Sequence, residues 1–255
     1  MTDFSIVTEA PDIMASREQL AMLLTRYDLA ARHSTGRDVL EVGCGAGLGL
    51  GYLAMRARRV VGGEYTDGLL RTARGHYGRR IPLVRLDAQN LPFPTASFDL
   101  VLLYETIYYL PDAGRFMTEA YRVLRAGGMV IVCTANREWV YFNPSPFSTR
   151  YYTAVELVSL LVERGFRTQA FGAFSTRARG VRSILSSVLK RAAVAWGLMP
   201  KTMRGKELLK RVFFGPLTAL PSEVQAGIAH IEPLTPLDQS TTRDFKVIYL
   251  LAEKA

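Results

Sequence analysis

The chain contains the stretch Val39-Leu40-Glu41-Val42-Gly43-Cys44-Gly45-Ala46-Gly47, in which an apolar strand runs directly into a glycine-rich turn. Glycines at three alternate positions let the backbone bend sharply and let a ligand approach where any Cβ would collide. In an open parallel sheet, ligands bind beside such a turn, beyond the carboxyl ends of the strands. No Lys follows these glycines. In a G-x-G-x-x-G motif that begins at Gly43, Gly45 or Gly47, the sixth residue would be Leu48, Leu50 or Tyr52, not Gly. This excludes both a P-loop and the dinucleotide fingerprint G-x-G-x-x-G.

Short apolar runs alternate with helical patterns on both sides of this turn. A first helix is predicted over 17–32, with Ser16 and Gln19 at capping-box spacing, and another follows Thr153 with Glu156 as its box partner. Alternation of this kind favours a doubly wound, mostly parallel α/β sheet. The seven predicted strands are 38–42, 59–64, 83–86, 98–103, 128–134, 166–171 and 244–252, and intervening helices begin near Leu48, Asp67 and Ala113.

The pattern divides the chain into four parts. Residues 1–36 form an N-terminal helical cap, 37–175 form the core of the sheet, 176–240 form a basic helical insertion or lid, and 241–255 supply the last strand. No linker between separate domains is evident.

Composition narrows the class of protein further. The chain has 255 residues, 49% of them hydrophobic, and a formal charge of +9, which allows a sizeable core and excludes a disordered or collagen-like chain. Two cysteines, Cys44 and Cys133, do not make a disulfide framework. Because no apolar run is long enough to span a bilayer and the first residues lack a secretion signal, we expect a cytoplasmic location.

Five landmarks together resemble class I S-adenosylmethionine-dependent methyltransferases, over about residues 37–171. The glycine turn is E-x-G-x-G-x-G, and Glu64 ends the second strand 23 residues after Glu41. Asp87-Ala88 closes the third strand, 97–101 matches the start of the fourth, and 122–128 resembles the family's "RVLRPGG" turn with Ala126 in place of Pro. The resemblance implies a Rossmann-like methyltransferase fold in which 37–175 bind S-adenosyl-L-methionine.

The same resemblance assigns the cofactor-binding residues. It places ribose on Glu64 and adenine on Asp87 and Ala88, and acids are compatible with a cofactor that carries a sulfonium cation and no phosphate. Arg26 and Tyr27 of the first helix are candidates for the cofactor carboxylate, although Tyr27 also fits the apolar stripe of that helix. The predicted cofactor-binding set is Glu41, Gly43, Cys44, Gly45, Gly47, Glu64, Tyr65, Asp87, Ala88 and Tyr104.

Aromatic residues mark the predicted acceptor side. Tyr108, Tyr109 and Tyr151 are candidates for substrate contact, and Tyr108 or Glu105 could orient or deprotonate the acceptor; the alternative is that these tyrosines only pack beneath a lid. No catalytic residue is assigned from the sequence. His33, His76 and His230 lack metal-ligand spacing, so no metal site is predicted, and His33 is a remote candidate base.

The positive charge is concentrated in one segment. Residues 164–211 carry 12 Lys/Arg and one acid, and an apolar stripe over 181–192 has helical spacing. This favours a lid with a solvated basic face; peripheral membrane contact and binding of an anionic acceptor stay open, and nucleic acid is not expected. The oligomeric state is left open.

These observations together predict the function. We expect methyl transfer to oxygen or nitrogen of a small-molecule acceptor, such as a saccharide or a secondary metabolite. The alternatives are a non-catalytic scaffold on the same fold, or a quinone or lipid methylase at the membrane surface.

Overall fold

The computed structural model describes residues 3–140, 142–145, 147–176, 216–238 and 242–255. Its main sheet has eight strands in the order β4-β3-β2-β5-β6-β10-β7-β9. Strands β2 to β6 pair in parallel, whereas β10 runs antiparallel to both β6 and β7. The strands are β2 Asp38–Val42, β3 Arg59–Glu64, β4 Leu83–Arg85, β5 Phe98–Tyr104, β6 Leu124–Ala135, β7 Phe166–Ser175, β9 Thr235–Pro236 and β10 Phe245–Lys254.

This architecture confirms the predicted doubly wound, mostly parallel sheet. All seven predicted strands form, and the two-residue β9 adds an eighth at the edge beside β7. Several strands extend beyond their predicted ends. β6 starts at Leu124, before Gly127 and Gly128, because its pairing with β5 begins at Phe98 and resumes after a register shift.

Five helices cover the two faces of the sheet: α1 Arg17–Ser34, α2 Leu50–Ala54, α3 Asp67–Tyr77, α4 Ala113–Val123 and α5 Ala154–Val162. Both predicted capping boxes are confirmed, at Ser16 with Gln19 and at Thr153 with Glu156. Successive strand residues alternate between two buried layers, so that Val39 packs in the layer of α1 and Leu40 in the layer of α4 and α5. The central strands are buried on both faces, as their continuous apolar sequences require.

The N-terminal segment does not consist of a helix alone. Residues 3–13, named the strap here, precede β1 Met14–Ser16, which pairs antiparallel with β8 Leu217–Ala219 in a separate two-stranded sheet. β8 and β9 both lie within 216–238, where a helical insertion was expected and where the described residues contain no helix. The rest of that expectation, including the 181–192 stripe, falls outside the described residues. Among the described helices, none has the length and apolar character needed to cross a membrane.

Candidate cofactor and acceptor site

The glycine turn after β2 is closed by backbone hydrogen bonds to β3. The amides of Gly43 and Cys44 both donate to the Gly63 carbonyl, at 2.8 and 3.0 Å. Gly45 has φ of +57°, a conformation that favours glycine, and a Cβ built on it would lie 2.8 Å from Thr8 Cγ2 of the strap. The turn therefore leaves a narrow space between its backbone and the strap.

Glu41 lies at the carboxyl end of β2 and is only 1% exposed. The Tyr27 hydroxyl of α1 donates to its Oε1 at 2.6 Å, whereas Oε2 has no hydrogen-bond partner among the described residues. Burial raises the pKa of Glu41 to about 7, although the Tyr27 hydrogen bond and the positive charge of Arg26 act in the opposite direction. A buried carboxylate oxygen without a partner is costly unless a ligand satisfies it.

Glu64 ends β3 and links two turns. Its Oε2 accepts the Gly45 amide at 2.9 Å and its Oε1 accepts the Thr66 amide at 2.7 Å. These bonds fix the carboxylate beside the glycine turn, and each oxygen keeps a further lone pair. Asp87, after β4, is exposed and accepts the Gln89 amide at 2.9 Å, so its second oxygen is open to a ligand.

These strand ends line one cavity of about 990 Å³. That volume is at the upper end of the roughly 300–1,000 Å³ typical of small-molecule sites, and it accommodates both a nucleoside-sized cofactor and an acceptor. Of the predicted cofactor set, nine residues line the cavity: Glu41, Gly43, Cys44, Gly45, Glu64, Tyr65, Asp87, Ala88 and Tyr104.

Gly47 and Tyr151, predicted for the cofactor and the substrate, lie outside this lining among the described residues, and their roles stay predictions. The Tyr77 hydroxyl donates to the Gly47 carbonyl at 2.7 Å, so Gly47 serves the packing of α3 against the turn. Tyr151 stacks on the Tyr108 ring from behind, with centroids 4.4 Å apart, and therefore supports a residue that does line the cavity.

The acceptor side of the cavity is aromatic. Tyr108 and Tyr109 follow β5 in a short 3-10 turn, and their rings meet at 4.5 Å. The ring centroid of Phe4 in the strap lies 5.0 Å from that of Tyr109 and 6.5 Å from that of Tyr65. Phe4 therefore connects this wall to the cofactor side. Further apolar or aromatic lining residues on this side are Leu110, Pro111, Trp139, Phe142, Phe147 and Leu217.

Glu105 is the acidic group between the two sides. It has a positive φ of +49°, which is strained for a non-glycine residue at the end of β5. Its Oε2 accepts the Tyr108 hydroxyl at 2.9 Å, and burial raises the pKa of its carboxyl, while Arg26 and that hydrogen bond act against the rise. Burial also raises the pKa of Tyr108, which keeps its hydroxyl protonated. Of the two candidate bases, Glu105 is therefore the better proton acceptor.

Other predicted groups lie elsewhere. His33, His76 and His230 are absent from the described lining; His76 contacts Glu223 at 3.0 Å and His230 contacts Glu232 at 3.2 Å. In the described part of the chain, no cluster of three or more His, Cys, Asp or Glu could hold a metal ion.

Several lining residues were not predicted from the sequence. Thr8 and Glu9 of the strap cover the glycine turn, and Lys246 of β10 places its Nζ 5.4 Å from the Trp139 ring centroid. These residues come from segments far apart in the chain, so no local motif marks them. Arg26, which was a candidate, pairs with Glu9 and lines the same cavity.

The sheet order, with an antiparallel β10 between β6 and β7, and the cavity at the carboxyl ends of β2 to β5 define the class I methyltransferase fold. A Thermotoga maritima S-adenosylmethionine-dependent methyltransferase, described as a possible histamine N-methyltransferase, superposes with a TM-score of 0.58 and 18% identity, covering 92% of this chain and 90% of that one. At that identity the likeness concerns the fold alone.

Sequence comparison finds similar proteins for about half of the chain. A methyltransferase-domain family model matches residues 40–132. A probable S-adenosylmethionine-dependent methyltransferase of Mycolicibacterium smegmatis is 39% identical over 149 residues, which cover 56% of this chain and 57% of the relative. A fatty-acid O-methyltransferase of the same species is 40% identical over 125 residues, 44% of each chain. The chain thus spans about half the length of these curated relatives. Residues 40–132 of this chain are therefore similar to the methyltransferase domain of S-adenosylmethionine-dependent methyltransferases, whose cofactor is S-adenosyl-L-methionine.

Proposed function

We propose that this protein transfers a methyl group from S-adenosyl-L-methionine to an oxygen or nitrogen of a small-molecule acceptor. One observation carries the proposal: carboxylates end three adjacent parallel strands around the glycine turn, and the buried oxygen Oε2 of Glu41 has no described partner. An ammonium group supplies what that oxygen lacks. The nearby Arg26, whose Nε is also without a described hydrogen-bond partner, suits the carboxylate of the same amino-acid group.

The remaining cofactor contacts follow the order of the strands. Glu64 is held by two backbone amides with lone pairs left for ribose hydroxyls. Asp87 and Ala88 at the end of β4 suit the adenine, and Tyr104 supports the site from below by donating to the Arg26 carbonyl at 3.0 Å. The bound cofactor supplies an electrophilic methyl group on a sulfonium.

The protein contributes orientation and proton removal. Tyr108 and Tyr109 hold an acceptor against the methyl side, where near-attack geometry accounts for much of the rate. Glu105 lies within reach of that side and is placed to accept the proton that a hydroxyl acceptor loses. The Tyr108 hydroxyl, donating to Glu105, holds the carboxylate in place.

The acceptor wall supports a lipophilic acceptor more than a saccharide. Trp139, Phe142, Phe147 and Leu217 offer apolar surface, whereas recognition of a sugar needs many convergent polar groups. The similarity to a fatty-acid O-methyltransferase agrees with this preference. A quinone or other lipid acceptor at a membrane surface is therefore the more favoured of the alternatives. Membrane contact through 181–192, binding of an anionic acceptor and a cytoplasmic location stay predictions.

Titration calorimetry with S-adenosylmethionine and with S-adenosylhomocysteine tests the cofactor site. We expect binding to the wild type, and weakening by about tenfold or more in Glu64→Gln, because hydrogen bonds to a charged group contribute ~1.5–3 kcal/mol. Glu253→Gln is the matched control, since this carboxylate pairs with Arg167 at the opposite end of the sheet. Absence of binding at millimolar ligand would contradict the proposal.

A transfer assay with radiolabelled methyl donor separates an enzyme from a scaffold and distinguishes the acceptor classes. A long-chain fatty acid, a long-chain alcohol and a hexose are the three probes. We expect transfer of label to either lipid probe. If Glu105→Gln reduces transfer to the alcohol but not to the fatty acid, the result supports proton removal by Glu105, because a carboxylate acceptor needs no base. Cofactor binding without transfer to any acceptor favours the non-catalytic scaffold.

A further inference from the structure

The strap is held over the cofactor side by side-chain contacts at its near end. Phe4 packs between Tyr65 and Tyr109, and Thr8 lies against the glycine turn at Gly45. Its far end is anchored by backbone hydrogen bonds, from the Asp12 amide to Leu220 and from the Leu220 amide to Ile13. The strap is therefore held by side-chain contacts where it covers the cavity and by backbone hydrogen bonds at its far end.

Glu9 makes the charged contact between the strap and the cavity. Its carboxylate pairs with Nη2 of Arg26, whose side chain is 9% exposed, while the Glu9 side chain is 37% exposed. A buried guanidinium needs a counter-ion, because removing the only partner of a buried charge is costly. Glu9, the more exposed residue of the pair, supplies this counter-ion, and Arg26 Nε still lacks a described hydrogen-bond partner.

We propose, on the basis of the cofactor site inferred above, that Glu9 is a positioning residue that holds Arg26 while the site is free and is replaced there by the carboxylate of the cofactor. Exchange of cofactor then requires the strap to move. In the free protein Glu9 competes with the ligand for one cation, so the contact weakens cofactor and product binding and favours release of the product.

The proposal predicts an effect opposite in sign to general electrostatics. S-adenosylmethionine carries two positive charges and one negative charge, so deleting a nearby acid should weaken its binding if Glu9 acts only through its field. If Glu9 occupies the carboxylate position, Glu9→Gln should instead tighten binding, by about twofold to fivefold, the scale of a partly exposed ion pair.

The decisive comparison uses two ligands and a control variant. Calorimetry measures the dissociation constants of S-adenosylhomocysteine and of 5′-deoxy-5′-methylthioadenosine, which lacks the amino-acid group. Glu9→Gln should bind the first ligand more tightly and the second with unchanged affinity. Asp12→Asn is the matched control, since Asp12 is an exposed acid on the same strap, outside the cavity lining, at a φ of +66° that Asn tolerates.

Unchanged or weaker binding of S-adenosylhomocysteine to Glu9→Gln overturns the proposal, and so does an equal gain for both ligands or for Asp12→Asn. If the wild type binds neither ligand, the cofactor site itself is refuted. If the wild type binds but Glu9→Gln gains no affinity, only the role of Glu9 is refuted. A second measurement adds Glu9→Gln to an Arg26→Gln background. The gain should disappear there, and a gain that persists would show that Glu9 does not act through Arg26.

Discussion

Replacing Glu41 with Gln should stabilise the free protein at alkaline pH while it weakens cofactor binding. The pKa of Glu41 rises from its ordinary 4.5 to about 7 because burial disfavours the charged carboxylate. Between those values the folded state binds a proton that the unfolded state has lost, so the free energy of unfolding falls as pH rises through this window. At about 1.4 kcal/mol per pH unit, the ionised carboxylate costs about 3 kcal/mol above pH 7.

Glutamine keeps the size of the side chain and an oxygen for the Tyr27 hydroxyl, but it does not ionise. Urea unfolding of wild type and Glu41→Gln at pH 5 and pH 8 measures the difference. We expect nearly equal stability at pH 5 and a more stable variant at pH 8, by up to about 3 kcal/mol. Carboxyls that titrate alike in both proteins, such as Glu105, cancel in the comparison.

Cofactor affinity should fall in Glu41→Gln, in contrast to the gain in stability at pH 8. The ammonium group loses its buried anionic partner in Glu41→Gln, and a charge-assisted hydrogen bond of ~1.5–3 kcal/mol corresponds to a loss of about tenfold to a hundredfold in affinity. A variant whose stability relative to wild type is the same at pH 5 and pH 8 would refute the assignment of a raised pKa. A variant that binds the cofactor as wild type does would refute the role of Glu41 in the site.

Three further predictions concern the same cavity. Gly45→Val should abolish detectable cofactor binding in calorimetry, because a Cβ at this position meets Thr8 at 2.8 Å. Gly127→Val is the control: its φ of +70° is similar but nothing lies within 4 Å, so it should lose stability and keep cofactor binding. The wild-type dissociation constant for S-adenosylmethionine should rise below about pH 7, where protonation of Glu41 competes with the ammonium. Tyr27→Phe should move the onset of this rise to higher pH, because the hydrogen bond from Tyr27 lowers the pKa of Glu41. An onset that does not move contradicts the coupling between Tyr27 and Glu41. Tyr108→Phe should lower methyl transfer to an alcohol acceptor with little change in cofactor affinity, and equal loss of both would place Tyr108 in the cofactor site instead.

The parts of the fold that sequence analysis predicted are those that local chemistry determines. Strands buried on both faces have continuous apolar sequences, and the two capping boxes need only residues three positions apart. The glycine turn is equally local, since the positive φ of Gly43 and Gly45 is set within a few residues. The residues on the other strands were assigned by the resemblance to class I methyltransferases and not by local chemistry; with the turn they make up the nine of ten predicted cofactor residues that line one cavity.

The parts that sequence analysis missed depend on contacts between distant segments. Glu9 and Arg26 are 17 residues apart, and Lys246 meets Trp139 only because β10 inserts between β6 and β7. Gly47 shows the reverse case, in which a motif position serves packing: Tyr77, 30 residues later, fills the space beside it. A motif identifies residue types at a turn, but the opposite wall of the cavity comes from other elements of the fold.

The charges in the cavity connect its stability to its ligand. Glu41 and Glu105 are buried carboxyls with raised pKa values, and Arg26 is a buried cation that pairs with a residue of the strap. In the free protein this arrangement is unfavourable, because the charge of Glu64 repels that of Glu41 and Glu41 Oε2 has no described partner. A ligand with an ammonium, a sulfonium and a carboxylate offers a partner to each group. Part of the binding free energy is therefore the relief of this unfavourable charge. It enters the dissociation constant, which sets how far a given cofactor concentration stabilises the fold.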